Sequence, residues 1–121
     1  MKRTFFSLAL LLAVATLTAQ TKMTAREAAV KIADRILAST TYEFKNTKTG
    51  EIYKSVKKLP LDMDVKVACK YNNWHYTNGV TNMALMELGD KLGDKKYEKY
   101  VLKNMNFVFN EGNLDFFRKQ Y

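Results

Sequence analysis

The fold is decided by the stretch WHYTNGVTNMALMELGDKLGDKKYEKY, residues 74–100. It predicts a helix that starts between Trp74 and Tyr76 and runs to Leu92, followed at once by another helix. Gly93 suits the left-handed residue that ends many helices, and Asp94 is a typical N-cap for the next one. Apolar residues surround most of the first helix, which predicts an inner helix buried on more than one side. They are Val80, Met83, Ala84, Leu85, Met86, Leu88 and Leu92.

The helices on either side of this inner helix are predicted to be amphipathic. Residues 24–40 repeat apolar side chains at helical spacing, and Thr24 with Glu27 has the spacing of a capping box. Residues 95–110 carry aromatic and aliphatic side chains on one face and lysines on the other. Helices with one apolar face cover a core from the outside. The order outer, inner, outer helix therefore predicts an all-α fold.

A long irregular segment, residues 40–73, separates the first two helices. Its turn residues Asn46 to Gly50 lie between short runs that contain Phe44 and Tyr53, which predicts a small hairpin. Connections longer than about 12–15 residues are uncommon unless they have a function, so a rim or lid is one interpretation. A tolerated surface insertion is the other, because long loops add little closure entropy.

The last residues of the sequence predict a helix without a partner. Gly112 is expected to break the preceding helix, and Asn113 or Asp115 to cap a new one. Phe116 and Phe117 then need an apolar surface that the earlier segments are not expected to supply. Together with the two-sided inner helix, this indicates the beginning of a larger closed ring of helical hairpins.

Residues 1–19 have the layout of a secretory signal peptide. Lys2 and Arg3 precede an almost unbroken apolar run, Phe5 to Ala15, and small residues follow it. The run is shorter than the roughly 20 residues that span a bilayer, so a membrane anchor is the weaker alternative. We expect an exported bacterial protein, periplasmic or secreted, with a mature region of residues 20–121 and no stable membrane anchor.

The charge of the chain bears on its partners. The 121 residues carry a formal net charge of +8, supplied almost entirely by lysines spread along the sequence. Nucleic-acid-binding proteins more often cluster their basic residues and use arginine, so no nucleic-acid partner is expected. A positive surface of this kind can instead attract acidic polysaccharides over long range.

The sequence offers little catalytic chemistry. One histidine, one cysteine and dispersed carboxylates lack the spacing of a metal site, and we predict no metal and no cofactor. Asp62 and Asp64 are interpreted as solvated loop acids. Cys69 is interpreted as a buried or inert thiol.

The candidate site is the segment 71–80, which holds the single tryptophan and the single histidine. It lies at the start of the inner helix, where free N–H groups and the positive end of the dipole favour a carboxylate. Trp74 and Asn78 share one face if both are helical, and an aromatic ring beside an amide suits a sugar. Packing of Trp74 in a core or rim, and a structural role for His75, are the alternatives. Gly79 weakens a helix, which indicates close packing or ligand approach at that position.

The same stretch resembles the beginning of the unsaturated glucuronyl and rhamnogalacturonyl hydrolases. The resemblance rests on the aromatic residues and Asn-Gly-Val within residues 74–80, and on Gly-Asp-x-x-Tyr at residues 93–97. Those enzymes are α/α toroids of six helical hairpins. The resemblance implies that residues 20–121 form the first hairpins of an incomplete (α/α)6 barrel, with a long loop or small hairpin between the first two helices.

The resemblance also implies a function. Such enzymes are glycoside hydrolases that remove a 4,5-unsaturated uronic acid from the oligosaccharides left by polysaccharide lyases. An aspartate protonates the sugar double bond and helps water to add, without a cofactor. By position, Trp74, Tyr76 and Asn78 are the implied substrate-binding residues. The family's catalytic aspartate lies further along its chain, so we assign no catalytic residue, not even Asp115, and expect an N-terminal fragment that is inactive alone.

Two alternatives to this function stay open at the level of sequence. One is a complete small exported helical module that binds carbohydrate or peptide. The other is a different α/α-toroid sugar enzyme, such as an epimerase or another glycosidase. Further helix pairs encoded after Tyr121 would favour an enzyme of the toroid class over the small module.

Overall fold

The computed structural model describes residues 22–119, which form four helices and three short strands. The predicted signal peptide, residues 1–19, lies outside the described residues. The fold is mostly helical, as predicted, but it also contains a small sheet, and the four helices do not form a closed ring. In chain order the elements are α1 (Ala25–Ser39), β1 (Phe44–Asn46), β2 (Ile52–Tyr53), β3 (Val65–Val67), α2 (Tyr76–Leu92), α3 (Lys95–Phe109) and α4 (Glu111–Lys119).

Helix α1 begins with the predicted capping box. The Glu27 N–H donates to Thr24 Oγ1 at 3.2 Å, and the Thr24 N–H donates to Glu27 Oε2 at 2.8 Å. The reciprocal bonds satisfy two backbone donors and fix where the helix starts. At the other end, the Thr40 hydroxyl lies 2.9 Å from the Tyr100 hydroxyl and ties α1 to α3.

The turn between α2 and α3 also has the predicted geometry. Gly93 adopts the left-handed conformation with φ 66°, and the Asp94 N–H donates to Gly89 O at 3.0 Å. Asp94 caps α3 by accepting from the Lys96 N–H at 3.0 Å. These bonds satisfy the end of one helix and the start of the next, so α2 and α3 form an antiparallel hairpin.

A second link joins α1 to the start of α3. Asp34 accepts from the Tyr97 hydroxyl at 2.8 Å and pairs with the Lys96 ammonium at 2.8 Å. The bond to Lys96, and then the bond to Tyr97, lower the pKa of the Asp34 carboxyl. The carboxylate of Asp34 therefore links α1 to α3.

The sheet has the order β2-β1-β3, with both pairs antiparallel. The predicted hairpin is present as β1 and β2, in which Phe44 pairs with Tyr53. Asn46 Oδ1 accepts from two N–H groups of the turn, and Gly50 adopts φ 78°. Strand β3 was not predicted, and it places Val67 opposite Phe44 on the other side of β1.

Two apolar clusters form the core. The first lies between α1, α2 and α3, and the second lies between the sheet, α3 and α4. The first contains Ala33, Leu85, Tyr97, Tyr100 and Val101. The second contains Phe44, Val56, Val67, Phe107, Val108 and Phe117.

Helix α4 differs from the prediction in its start and in its packing. It begins at Glu111, next to the preceding helix, so Gly112 lies inside it and neither Asn113 nor Asp115 is the cap. The Gly112 N–H donates to Asn110 Oδ1 at 2.9 Å. Phe117 is only 1% exposed, because the sheet and α3 supply the apolar surface that was expected to be missing.

Helix α2 is covered on one side only by the residues that the structure describes. Tyr76, Val80 and Met83 follow one another at helical spacing and are 78%, 59% and 74% exposed. The predicted burial on more than one side is therefore wrong for the described part of the chain. Large exposed apolar patches are typical of surfaces that bind another element or partner.

The two glycines of α2 are expected to respond to alanine in opposite ways. At Gly79 an added Cβ meets nothing within 4 Å, so Gly79→Ala is expected to raise the free energy of unfolding by about 0.5–1 kcal/mol. At Gly89 the Cβ would lie 3.1 Å from Asp94 O and 3.3 Å from Tyr97 Cβ, so Gly89→Ala is expected to lower it by about 1–3 kcal/mol. Urea unfolding followed by circular dichroism measures both, and equal signs would contradict the packing described here.

Candidate functional site

A cleft of 380 Å³ lies where the loop before α2 meets the C-terminal half of α3. Residues 71–76, 78 and 79 form one side and residues 105, 108 and 109 the other, with the buried, mutually bonded Asn82 and Asn104 in the floor. We call it the Trp74 cleft. It contains all three predicted substrate-binding residues, Trp74, Tyr76 and Asn78.

Trp74 forms the aromatic wall of the cleft. Its ring is 42% exposed and meets the ring of Phe109 edge-on, with centroids 5.3 Å apart. Helix α2 starts at Tyr76, within the predicted range, so Trp74 is not helical and the condition for a shared helical face with Asn78 is not met. The loop conformation brings the two residues into the same cleft instead.

His75 caps α2. Its Nδ1 lies 2.8 Å from Thr77 Oγ1 and accepts from the Thr77 N–H at 3.4 Å. Tyr76 is the most exposed of the three candidates, and its ring lies 5.3 Å from that of His75. The loop therefore holds two aromatic side chains, Trp74 and Tyr76, at the mouth of the cleft.

Asn78 holds the loop against the helix. Its Nδ2 donates to Lys70 O at 2.9 Å and to Asn73 O at 3.1 Å, and it also contacts Asn73 Oδ1. Since both amide hydrogens have acceptors within the protein, Asn78 positions the cleft wall. The glycine that follows, Gly79, has open space above it at the cleft.

Four further asparagines line the cleft and were not assigned as substrate-binding from the sequence: Asn72, Asn73, Asn82 and Asn104. Asn104 lies in the floor, where its Nδ2 donates to Asn82 Oδ1 at 3.0 Å and its Oδ1 accepts from the Tyr42 hydroxyl at 3.0 Å. Burial raises the pKa of Tyr42 to about 12, so the hydroxyl remains a donor at neutral pH. Asn72 donates to Thr41 O at 2.6 Å, while its buried Oδ1 has no hydrogen-bond partner among the described residues.

Two sequence signals point to Asn82 and Asn104. Asn82 follows Asn78 by four residues, so the two amides share one face of α2. Asn104 stands among the apolar residues of α3, where a polar side chain is unusual and needs a partner. Phe109 was expected on the core face of α3, but it is half exposed and contributes to the cleft wall instead.

The lining of the Trp74 cleft contains no carboxylate. No Asp or Glu is among its lining residues. Asp64 lies elsewhere, paired with Lys48, and Asp34 is used between α1 and α3. Within residues 22–119, no three His, Cys, Asp or Glu side chains converge as metal ligands. The lining supplies aromatic surface and hydrogen bonds but no carboxylate for general acid catalysis, and its one imidazole, His75, bonds to Thr77 at the start of α2.

No protein-family model, curated protein or solved structure matches this chain. In the part of the chain that the structure describes, no helix has the length and apolar character to cross a bilayer. The function is therefore argued from the cleft and from the sequence.

Proposed function

We propose that this chain binds the uronic-acid end of an oligosaccharide, as the N-terminal part of an exported glycoside hydrolase that removes 4,5-unsaturated uronic acid. The observation that carries the proposal is the position of the half-exposed Trp74 ring over a cleft lined by five asparagines. They are Asn72, Asn73, Asn78, Asn82 and Asn104.

The chemistry of the cleft suits a sugar. Sugar rings present C–H patches that pack on aromatic faces and hydroxyls that bond to amides. The amide most accessible to such hydroxyls is that of the exposed Asn73, because Asn78 and Asn104 bond within the protein. The cleft volume of 380 Å³ falls within the range of about 300–1,000 Å³ common for small-molecule sites. Because no carboxylate lines the cleft, an acidic sugar meets no like charge there.

The proposal that the chain is part of a toroid rests on the uncovered side of α2. The stripe of Tyr76, Val80 and Met83 continues from the mouth of the cleft along the helix. In an α/α toroid, further inner helices would pack on such a stripe and bring the acid that this cleft lacks. We therefore expect this chain alone to be inactive, and we place the catalytic aspartate of the enzyme outside it.

A second candidate function is a carbohydrate-binding module that works without further helices. The burial of Phe117 favours it, because the sheet, α3 and α4 close one apolar core among themselves. Both candidates use the same cleft, and they differ in whether the exposed stripe of α2 has to be covered. Coding sequence beyond Tyr121 with further helix pairs and an Asp-bearing loop favours the enzyme.

Binding can be measured through Trp74, which is the single tryptophan of the chain. Titration of the purified chain with an unsaturated uronyl disaccharide is expected to change the tryptophan fluorescence and to saturate. Trp74→Ala is expected to weaken binding at least tenfold by calorimetry, because the sugar loses its aromatic wall; tenfold corresponds to about 1.4 kcal/mol. Leu61→Ala is the matched control, since Leu61 is an exposed apolar residue outside the cleft.

Two results would count against the proposal. Absence of saturable binding by the wild-type chain would contradict the proposed sugar site. Equal affinity of the wild type and Trp74→Ala would contradict it as well. The ultraviolet absorbance of the unsaturated bond is expected to stay constant when the chain is incubated with the disaccharide. A clear loss of absorbance would show turnover and contradict the assignment of the catalytic acid to a part outside this chain.

A further inference from the structure

We propose that Lys70 recognises the carboxylate of the bound uronic acid and makes the Trp74 cleft selective for acidic over neutral sugars. This inference rests on the proposed sugar-binding function of the cleft. It assigns the selection of charged sugars to Lys70, the residue just before segment 71–80.

The backbone of Lys70 is fixed at the edge of the cleft. Its carbonyl oxygen accepts from Asn78 Nδ2 at 2.9 Å, which ties it to the first turn of α2. The same asparagine also bonds to the backbone of Asn73, so the loop between the two residues is held at both ends. Lys70 therefore keeps a constant position relative to the aromatic wall.

The side chain of Lys70 turns toward a residue of the cleft lining. Its Nζ lies 5.0 Å from the centroid of the Tyr71 ring, and Tyr71 lines the cleft. A cation over an aromatic face at this distance is attracted by the ring quadrupole. The contact holds the ammonium beside this lining residue while leaving its three N–H donors available.

The ammonium of Lys70 is not neutralised within the described residues. No carboxylate there lies within 4.0 Å of its Nζ, in contrast to Lys48, Lys91, Lys95 and Lys96, which each pair with an acid. The cleft lining itself contains no Asp, Glu, Lys or Arg, and Lys70 directly precedes its first residue, Tyr71. The first turn of α2, which also lines the cleft, contributes the positive end of its dipole. Of the described lysines that lie over an aromatic ring, Lys70 is the one whose ring belongs to the lining.

The test compares two ligands that differ by one charge, the unsaturated uronyl disaccharide and its methyl ester. Wild-type chain is expected to bind the acid three- to tenfold more tightly than the ester at low ionic strength, with the difference shrinking as salt is added. Lys70→Gln is expected to bind both ligands equally, and Lys70→Arg to retain the preference. Lys31→Gln makes the same charge change on α1, away from the cleft, and is expected to behave as wild type.

The outcomes separate this inference from the proposed function. If the wild type binds neither ligand, the proposed function and the role of Lys70 are both wrong. If the wild type binds acid and ester equally, or if Lys70→Gln keeps the full preference, the role of Lys70 is overturned while the sugar site stands. Urea unfolding of Lys70→Gln is expected to match wild type because the side chain is exposed, so a loss of preference reports on binding.

Discussion

Replacing Phe44 with alanine is expected to lower the free energy of unfolding by about 3–5 kcal/mol. Phe44 is completely buried, and its ring lies 5.1 Å from Phe107 and 5.2 Å from Phe116, centroid to centroid. It joins β1 to both α3 and α4, so the cavity left by alanine would open between three elements. Because domains of this size are stabilised by only about 5–15 kcal/mol, the variant is expected to be close to unfolding. Urea unfolding followed by circular dichroism measures the change.

The control for this prediction is Ile52→Ala on the neighbouring strand β2. Ile52 is half exposed and lies outside both core clusters, so its truncation is expected to cost less than about 1 kcal/mol. If the two variants unfolded at the same urea concentration, the phenylalanine cluster would not be the core that the packing indicates. A native-like Phe44→Ala protein would also contradict it.

Local signals in the sequence predicted the boundaries of α1, α2 and α3, but not the start of α4. The Thr24 and Glu27 capping box, Gly93 and Asp94 each act within one turn of the chain, so neighbouring residues contain the whole signal. The hairpin around Asn46 was predicted for the same reason. Each of these features satisfies backbone groups by contacts between residues close in sequence.

Features that depend on distant contacts were missed. Strand β3 has only three residues, and its partner Phe44 lies more than twenty positions earlier, so no local pattern marks it. Gly112 was expected to break a helix, but it lies in the first turn of α4, where Asn110 accepts from its N–H group. The burial of Phe117 likewise depends on Phe44 and Phe107, which the sequence alone does not bring together.

The candidate site was only half predictable from the sequence. Segment 71–80 was found because it concentrates aromatic and amide residues, and the structure does place it in a cleft. The opposite wall comes from α3, whose Phe109 was assigned to the core because helical periodicity cannot distinguish core from cleft. The buried amide of Asn104 was likewise hidden in an apolar face.

Asn104→Ala is expected to lower the free energy of unfolding by about 2–4 kcal/mol. Asn104 is 1% exposed and bridges the Tyr42 hydroxyl and Asn82 Oδ1, each at 3.0 Å. Alanine would leave the partly buried Tyr42 hydroxyl and the buried Asn82 Oδ1 without this partner, and a fully buried group of this kind costs about 1–3 kcal/mol. Asn106→Ala on the exposed side of the same helix is the control, and it is expected to be neutral or slightly stabilising because alanine favours helices.

A double-mutant cycle with Tyr42→Phe tests the cause of this loss. If the cost of Asn104→Ala comes partly from stranding the Tyr42 hydroxyl, removing that hydroxyl first should reduce the cost by about 0.5–3 kcal/mol. Fully additive effects of the two substitutions would show that the bond to Tyr42 contributes nothing, and that the loss comes from the bond to Asn82 or from packing. Since Asn104 also lies in the floor of the Trp74 cleft, a coupled network would mean that the same amides stabilise the fold and shape the proposed sugar site.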